Sequence, residues 1–169
     1  MKYAVILDSP DLAFRATHFV AFPQSDSELW FGEEPHEHSF KVAARIEGPL
    51  DASDCVVDFV AAKERLTDVL AELDGKTLLA SLVPNAAYSE NVATDTIEIV
   101  WNGAPARAKY TAPASRVVWF DAANASTEII AQHILKEWFA RLDLPLAREK
   151  YCASLRLEEA PGAFVEVSF

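Results

Sequence analysis

The chain has 169 residues, 51% hydrophobic and 24% charged, and its 15 basic and 26 acidic side chains leave a formal charge of -11. That apolar content excludes a disordered chain, and the length suits one domain over residues 1–169. The acidic excess argues against nucleic acid or an anionic membrane as partner, because phosphate binding needs a dense field of Lys and Arg.

At the start, MKYAVILDSPDLAF holds an apolar run broken by Asp8, Pro10 and Asp11, too short for a signal core or a membrane span, so a cytoplasmic location is expected. KYAVILD reads as a separate strand or as the first half of a long bulged one. In LAFRATHFV the two-residue alternation sets Leu12, Phe14, Ala16 and His18 on one face of a strand. From His36 to Glu47 the alternation is cleaner: His36, His38, Phe40, Val42, Ala44 and Ile46 share a face, while Glu37, Ser39 and Lys41 point away. Residues 59–73 repeat apolar positions at three and four residues, which predicts a helix with Asp58 as N-cap and Gly75 as its stop. TIEIVWNGAPARAKY reads as a hairpin about Asn102-Gly103, and RVVWF as a further short strand. A second helix is expected from about Ala125 to Leu142, ending before Pro145. YCASLRLEE and AFVEVSF close the chain as two strands about Pro161-Gly162. Helices segregated from antiparallel strands make this an α+β fold.

Chemistry points to the histidines. There are four in the chain, and two of them form His36-Glu37-His38 on a strand, a spacing that sends both imidazoles to one face within reach of one metal ion. His18, also on the apolar face of a strand, is the natural third ligand. Three histidines without a fourth protein ligand describe an open zinc site, able to polarise a hydroxyl or carbonyl oxygen. Cys55 and Cys152 form no Cys-x-x-Cys pair and no disulfide framework, and are expected to be reduced and mostly buried.

FRATHF, PHEHSFKV, VVDF, LDGKTLL, NASTEIIA and LRLEEAPG occur in an order and approximate spacing that resembles the 6-pyruvoyl-tetrahydropterin and 6-carboxytetrahydropterin synthase family over nearly the whole chain. The resemblance implies the tunnelling fold: a four-stranded antiparallel sheet with two helices on one side, here with an inserted hairpin, in protomers that associate into barrels. It implies a zinc-dependent carbon-oxygen lyase acting on dihydroneopterin triphosphate or a related pterin, as a homo-oligomer. By position His18, His36 and His38 match the family's zinc ligands, although relatives usually carry glycine where Glu37 stands.

Glu159 matches the glutamate that anchors the pterin, a task suited to a carboxylate accepting two parallel hydrogen bonds from a planar donor edge. Strand alternation puts Glu159 with Ala153, Leu155 and Leu157, on the face opposite Glu158. Ser126, Thr127 and Glu128 match a pterin-contacting element at the start of the second helix, where caps are favoured in any case. Ser89-Glu90-Asn91-Val92-Ala93 imitates that element but precedes a strand pattern, which sets it aside.

The pattern fails at the proton-handling groups. Gly32 falls where the family's synthases carry a cysteine base, and Gly75 where they carry a histidine beside the retained Asp74. Glu33 or Glu34 is the replacement base on offer, with Asp74 as the third candidate for moving protons. Two other readings compete: a non-catalytic pterin or purine binder that kept its zinc ligands, and a structural oligomer with vestigial zinc. A triphosphate substrate would need Arg15, Lys41 or Arg45 gathered near the pocket.

Overall fold

A computed structural model describes residues 3–23, 30–101 and 108–169. Strand β1 (Tyr3–His18) is one long bulged strand, paired antiparallel with the later strand His36–Gly48. Their register runs from Tyr3↔Gly48 to Asp8↔Ala43, then resumes at Ala13↔Lys41 and ends at His18↔His36, an excess of three residues on β1. An odd excess inverts the inward and outward positions. Leu7 is buried before the bulge, and Leu12, Phe14, Ala16 and His18 after it. The bulge therefore reconciles two out-of-phase apolar patterns on one strand and turns His18 inward. Pro10 falls where no ladder donor is required. Asp11 is tied to the first helix by Lys63, whose ammonium, with the Ser9 hydroxyl, pulls the Asp11 carboxyl down to about 2.

The remaining elements are β2 (Ala21–Pro23), β3 (Trp30–Gly32), β4 (His36–Gly48), α1 (Phe59–Leu73), β5 (Lys76–Ala80), β6 (Ala86–Asn91), β7 (Thr96–Trp101), β8 (Ala108–Pro113), β9 (Val117–Phe120), α2 (Thr127–Arg141), β10 (Cys152–Ala160) and β11 (Ala163–Ser168). The main sheet has six strands in the order β11-β10-β4-β1-β5-β9. The expected four antiparallel strands are present, and β5 and β9 extend them as short parallel neighbours. RVVWF forms β9, whereas β5, which the sequence pattern did not single out as a strand, is one short apolar run directly after α1. The inserted hairpin is a three-stranded sheet, β6-β7-β8, whose turn at Asn102-Gly103 lies outside the described residues. The Ser89–Ala93 imitation falls on β6 and the turn after it.

Both helices pack on one face of the main sheet. Asp58 caps α1 as expected, accepting from the amides of Val60 and Ala61. At the other end Gly75 adopts φ 67, a left-handed conformation that suits glycine, and its N–H donates to the Arg15 carbonyl at 2.7 Å. Asp74 accepts from the Arg15 amide at 2.8 Å, so the end of α1 is clasped to β1 and β5 starts alongside it. Trp138 of α2, fully buried, donates its indole N–H to the Ala62 carbonyl of α1 at 2.9 Å. The core between helices and sheet holds Phe14, Phe40, Ile46, Leu66, Ile134 and Leu155. Cys55 and Cys152 are exposed, contrary to the expectation: Cys55 lies in the loop before α1, and Cys152 starts β10 on the face turned from the helices. Among the described residues no helix is long and apolar enough to cross a membrane.

Candidate metal and substrate site

The register of β1 on β4 builds the centre of the site. His18 lies directly opposite His36, and Ala16 opposite His38, so one inward face carries all three imidazoles at the end of the ladder. Their ring centroids are separated by 5.2 Å (His18 to His36), 5.2 Å (His18 to His38) and 4.7 Å (His36 to His38). Glu159, at the end of β10, brings its Oε1 to 3.3 Å from His18 Nε2 and 3.1 Å from His38 Nε2. One ligand atom from each of these four residues lies within 4.8 Å of all the others.

The protons on these rings follow from their partners. A carbonyl oxygen only accepts, so His18 Nδ1 donates to the Ala125 carbonyl at 2.8 Å and His36 Nδ1 donates to the Glu34 carbonyl at 2.7 Å. In each neutral ring Nε2 is then left as a lone pair. His18 Nε2 and His38 Nε2 are buried without a hydrogen bond. Burial pushes His38 below the ordinary histidine range, against the opposing pull of the Glu159 carboxylate, and so favours a neutral ring. Convergent lone pairs beside a carboxylate are an unfavourable arrangement unless a cation or shared protons lie among them. Three convergent imidazoles, two of them with the tautomer set by a backbone carbonyl, suit zinc in donor type and number.

Around this centre opens a cleft of about 520 Å³. Glu33 lines it, placed by its amide, which donates to the Val20 carbonyl at 3.0 Å just beyond His18. Ser126 and Thr127 line it from the start of α2. Ser126 occupies the N-cap position without a side-chain capping bond, which leaves its hydroxyl to the cleft. Thr127 donates to Glu159 Oε2, so that carboxylate is shared between α2 and the histidines. Phe22 and Phe164, each about half exposed, form apolar walls.

Other positions lie elsewhere. Glu34 is exposed and reaches the site through its backbone carbonyl, and Glu37 is exposed on the far face of β4. Asp74 serves the clasp to Arg15 and does not line the cleft. Arg15, Lys41 and Arg45 all point to the sheet face turned from the helices, where Lys41 approaches Glu158 at 3.9 Å and Arg45 pairs with Glu47. Sequence reading missed Asn124, whose side chain accepts from the Ala21 amide at 2.8 Å and donates to the Ala21 carbonyl at 3.1 Å. That clasp holds the loop carrying the Ala125 carbonyl against His18. A partner 103 residues away leaves no local trace in the sequence.

Fold and site together define an α+β protein with a metal-suited histidine cluster at the floor of a small-molecule cleft. The family model for 6-pyruvoyl tetrahydropterin synthase matches residues 10–168, and the chain belongs to that family. Among solved structures it resembles the Plasmodium vivax 6-pyruvoyl tetrahydropterin synthase, with 23% identity, a TM-score of 0.84, and coverage of 100% of this chain and 98% of that one. The Plasmodium falciparum enzyme is similar at 24% identity and TM-score 0.83, covering 99% of this chain and 98% of that one. A variant of the Plasmodium vivax enzyme with a glutamate, described as a catalytic residue, replaced by alanine matches at 22% identity and TM-score 0.84, covering 100% of this chain and 98% of that one. No curated protein sequence matches the chain.

Proposed function

We propose that this chain is a cytoplasmic, zinc-dependent carbon-oxygen lyase that processes a dihydropterin, with Glu33 as the proton acceptor. The observation that carries the reading is the convergence of His18, His36 and His38 beside Glu33 and Glu159 in one cleft. A zinc ion on the three imidazoles would supply polarisation of the substrate's side-chain oxygens. Glu159 would accept the ring N–H and amino donors of the pterin, with Thr127 fixing its carboxylate and the Ser126 hydroxyl offering a further bond. Glu33, partly buried at the cleft wall, takes the side-chain proton where the synthases' cysteine is replaced by Gly32. The Plasmodium vivax variants, in which a glutamate described as a catalytic residue is replaced, support a carboxylate in this role.

The test is incubation of zinc-loaded protein with dihydroneopterin and its triphosphate, with products followed by chromatography. Glu33→Gln is expected to lower kcat about 10²- to 10⁴-fold with zinc content unchanged, while Glu34→Gln keeps its turnover. Full turnover by Glu33→Gln would remove Glu33 from the mechanism. A second reading, a pterin binder without catalysis, draws on Gly32 and Gly75 standing where the family's cysteine and histidine fall. Tight pterin binding with no product from any dihydropterin would decide for it.

A further inference from the structure

At the start of β5 three cations stand together without a carboxylate partner. Arg15 of β1 lies beside Gly75, whose N–H donates to the Arg15 carbonyl at 2.7 Å, and Lys76 follows directly opposite Ala16. On the next strand Thr77 pairs with Val117, so Arg116 comes level with Lys76. Its Nη1 lies 3.9 Å from the point where a Cβ on Gly75 would stand. Neighbouring strands are about 4.8 Å apart, which puts the three backbones within about 10 Å of one another. Arg15 and Arg116 are exposed, and among the described residues neither side chain has an ion pair or a hydrogen bond. Lys76 reaches the Ser115 carbonyl alone, at 3.5 Å. The nearby carboxylates serve the backbone: Asp74 accepts from the Arg15 amide, and Asp95 accepts from the amide and hydroxyl of Ser115 at 2.9 and 2.6 Å. Those bonds hold the segments that carry Arg15 and Arg116.

Elsewhere on this sheet exposed cations meet carboxylates: Arg45 pairs with Glu47, Lys41 approaches Glu158 at 3.9 Å, and Arg156 approaches Asp8 at 3.8 Å. In a chain of charge -11, three grouped cations left unpaired are unfavourable unless an anion lies among them. From this cluster we infer that Arg15, Lys76 and Arg116, none of which lines the cleft, form a separate anion site for a polyphosphate group. Two guanidinium forks match phosphate oxygens bidentately, and cations spread over three strands span more than one carboxylate or one phosphate. Two sources carry that chemistry. One is a free inorganic polyphosphate; the other, which rests on the pterin reading above, is the phosphate chain of a pterin seated in a neighbouring copy's cleft.

Calorimetric titration of the zinc-loaded full-length protein with tripolyphosphate tests the site, with zinc content measured before and after. Binding is expected to weaken about tenfold in Arg15→Gln and in Arg116→Gln, which keep the backbone bonds of both segments. In the parent it is expected to weaken as salt rises from about 0.05 M to about 0.3 M. Lys136→Gln removes an exposed charge on α2 and is expected to bind as the parent does, which sets a mere net-charge effect apart. No binding, or binding undiminished in both arginine variants, as an anion held by the zinc alone would show, would overturn the inference. Titrations with neopterin and neopterin triphosphate then separate the sources. A triphosphate advantage lost in the arginine variants assigns the site to the phosphates of a neighbouring copy's pterin; no advantage, or one retained, assigns it to a free anion. Binding of neither pterin would overturn the pterin reading and leave the anion site to stand on the tripolyphosphate result.

Discussion

Glu159 stands between two roles that single substitutions can separate. Its Oε1 lies among the histidine nitrogens, while its Oε2 accepts from Thr127. If Glu159 anchors the pterin ring, Glu159→Gln leaves zinc content at its full value and weakens pterin binding by about 10- to 100-fold, the cost of losing a charge-assisted pair. If it is a fourth ligand, zinc is lost first. Metal analysis beside a pterin titration reads both, and the anchoring role predicts the first result. The histidines were legible because alternation fixes which face a strand residue takes. Glu33 and Glu34 were not separable that way, since neither sits in a regular strand; the bond from the Glu33 amide to the Val20 carbonyl is what turns Glu33 to the cleft.

At the scale of elements, the site depends on three junctions. The bulge in β1 sets the phase of His18, the end of β10 delivers Glu159, and the loop before α2 supplies the carbonyl that orients His18. Asn124 secures that loop to Ala21 through two hydrogen bonds. Asn124→Ala is expected to cost about 1–3 kcal/mol of stability. It is also expected to weaken zinc binding by about 10- to 100-fold, as removal of a group supporting a ligand does. Chelator competition reads the second effect. An unchanged zinc affinity would show that the Ala125 carbonyl holds its place without the clasp. Helix boundaries were largely readable, because Asp58 and Gly75 carry their capping chemistry in their own side chains and backbone freedom.

For the whole molecule, pH and assembly give the checks. His133 of α2 packs edge-on against Phe120 with centroids 5.3 Å apart, and burial pushes it below the ordinary histidine value. As pH falls through about 6.5, the unfolded chain takes up a proton that folded His133 resists, so stability is lost on the acid side. His133→Gln should therefore show a smaller drop in urea midpoint than the parent between about pH 7.5 and about pH 5.5. Equal drops would place the acid sensitivity elsewhere. Assembly is the second check. The main sheet ends at β11 and β9, and Ile6 is 66% exposed on the face turned from the helices. Open edges and bare apolar side chains are usually covered by association, so a homo-oligomer is expected in sedimentation. A stable monomer at micromolar concentration would refute it.

A length of 169 residues and a charge of -11 narrow the partners, and residue order alone carries the α+β class, both helices and the inward face of His18, His36 and His38. Those features are local: a period of two or near four, a cap, a breaking glycine. What tertiary structure decided is set by contacts between distant segments. The parallel addition of β5 and β9 is one such contact, and the fit of the Tyr151 ring over Gly48, where a Cβ would come within 2.3 Å of Cδ1, is another. The position of each charge is a third. The acidic excess is a sum over the sequence, but its placement, with three carboxylates in the cleft and the candidate cations on the other face, follows from sheet register and helix docking.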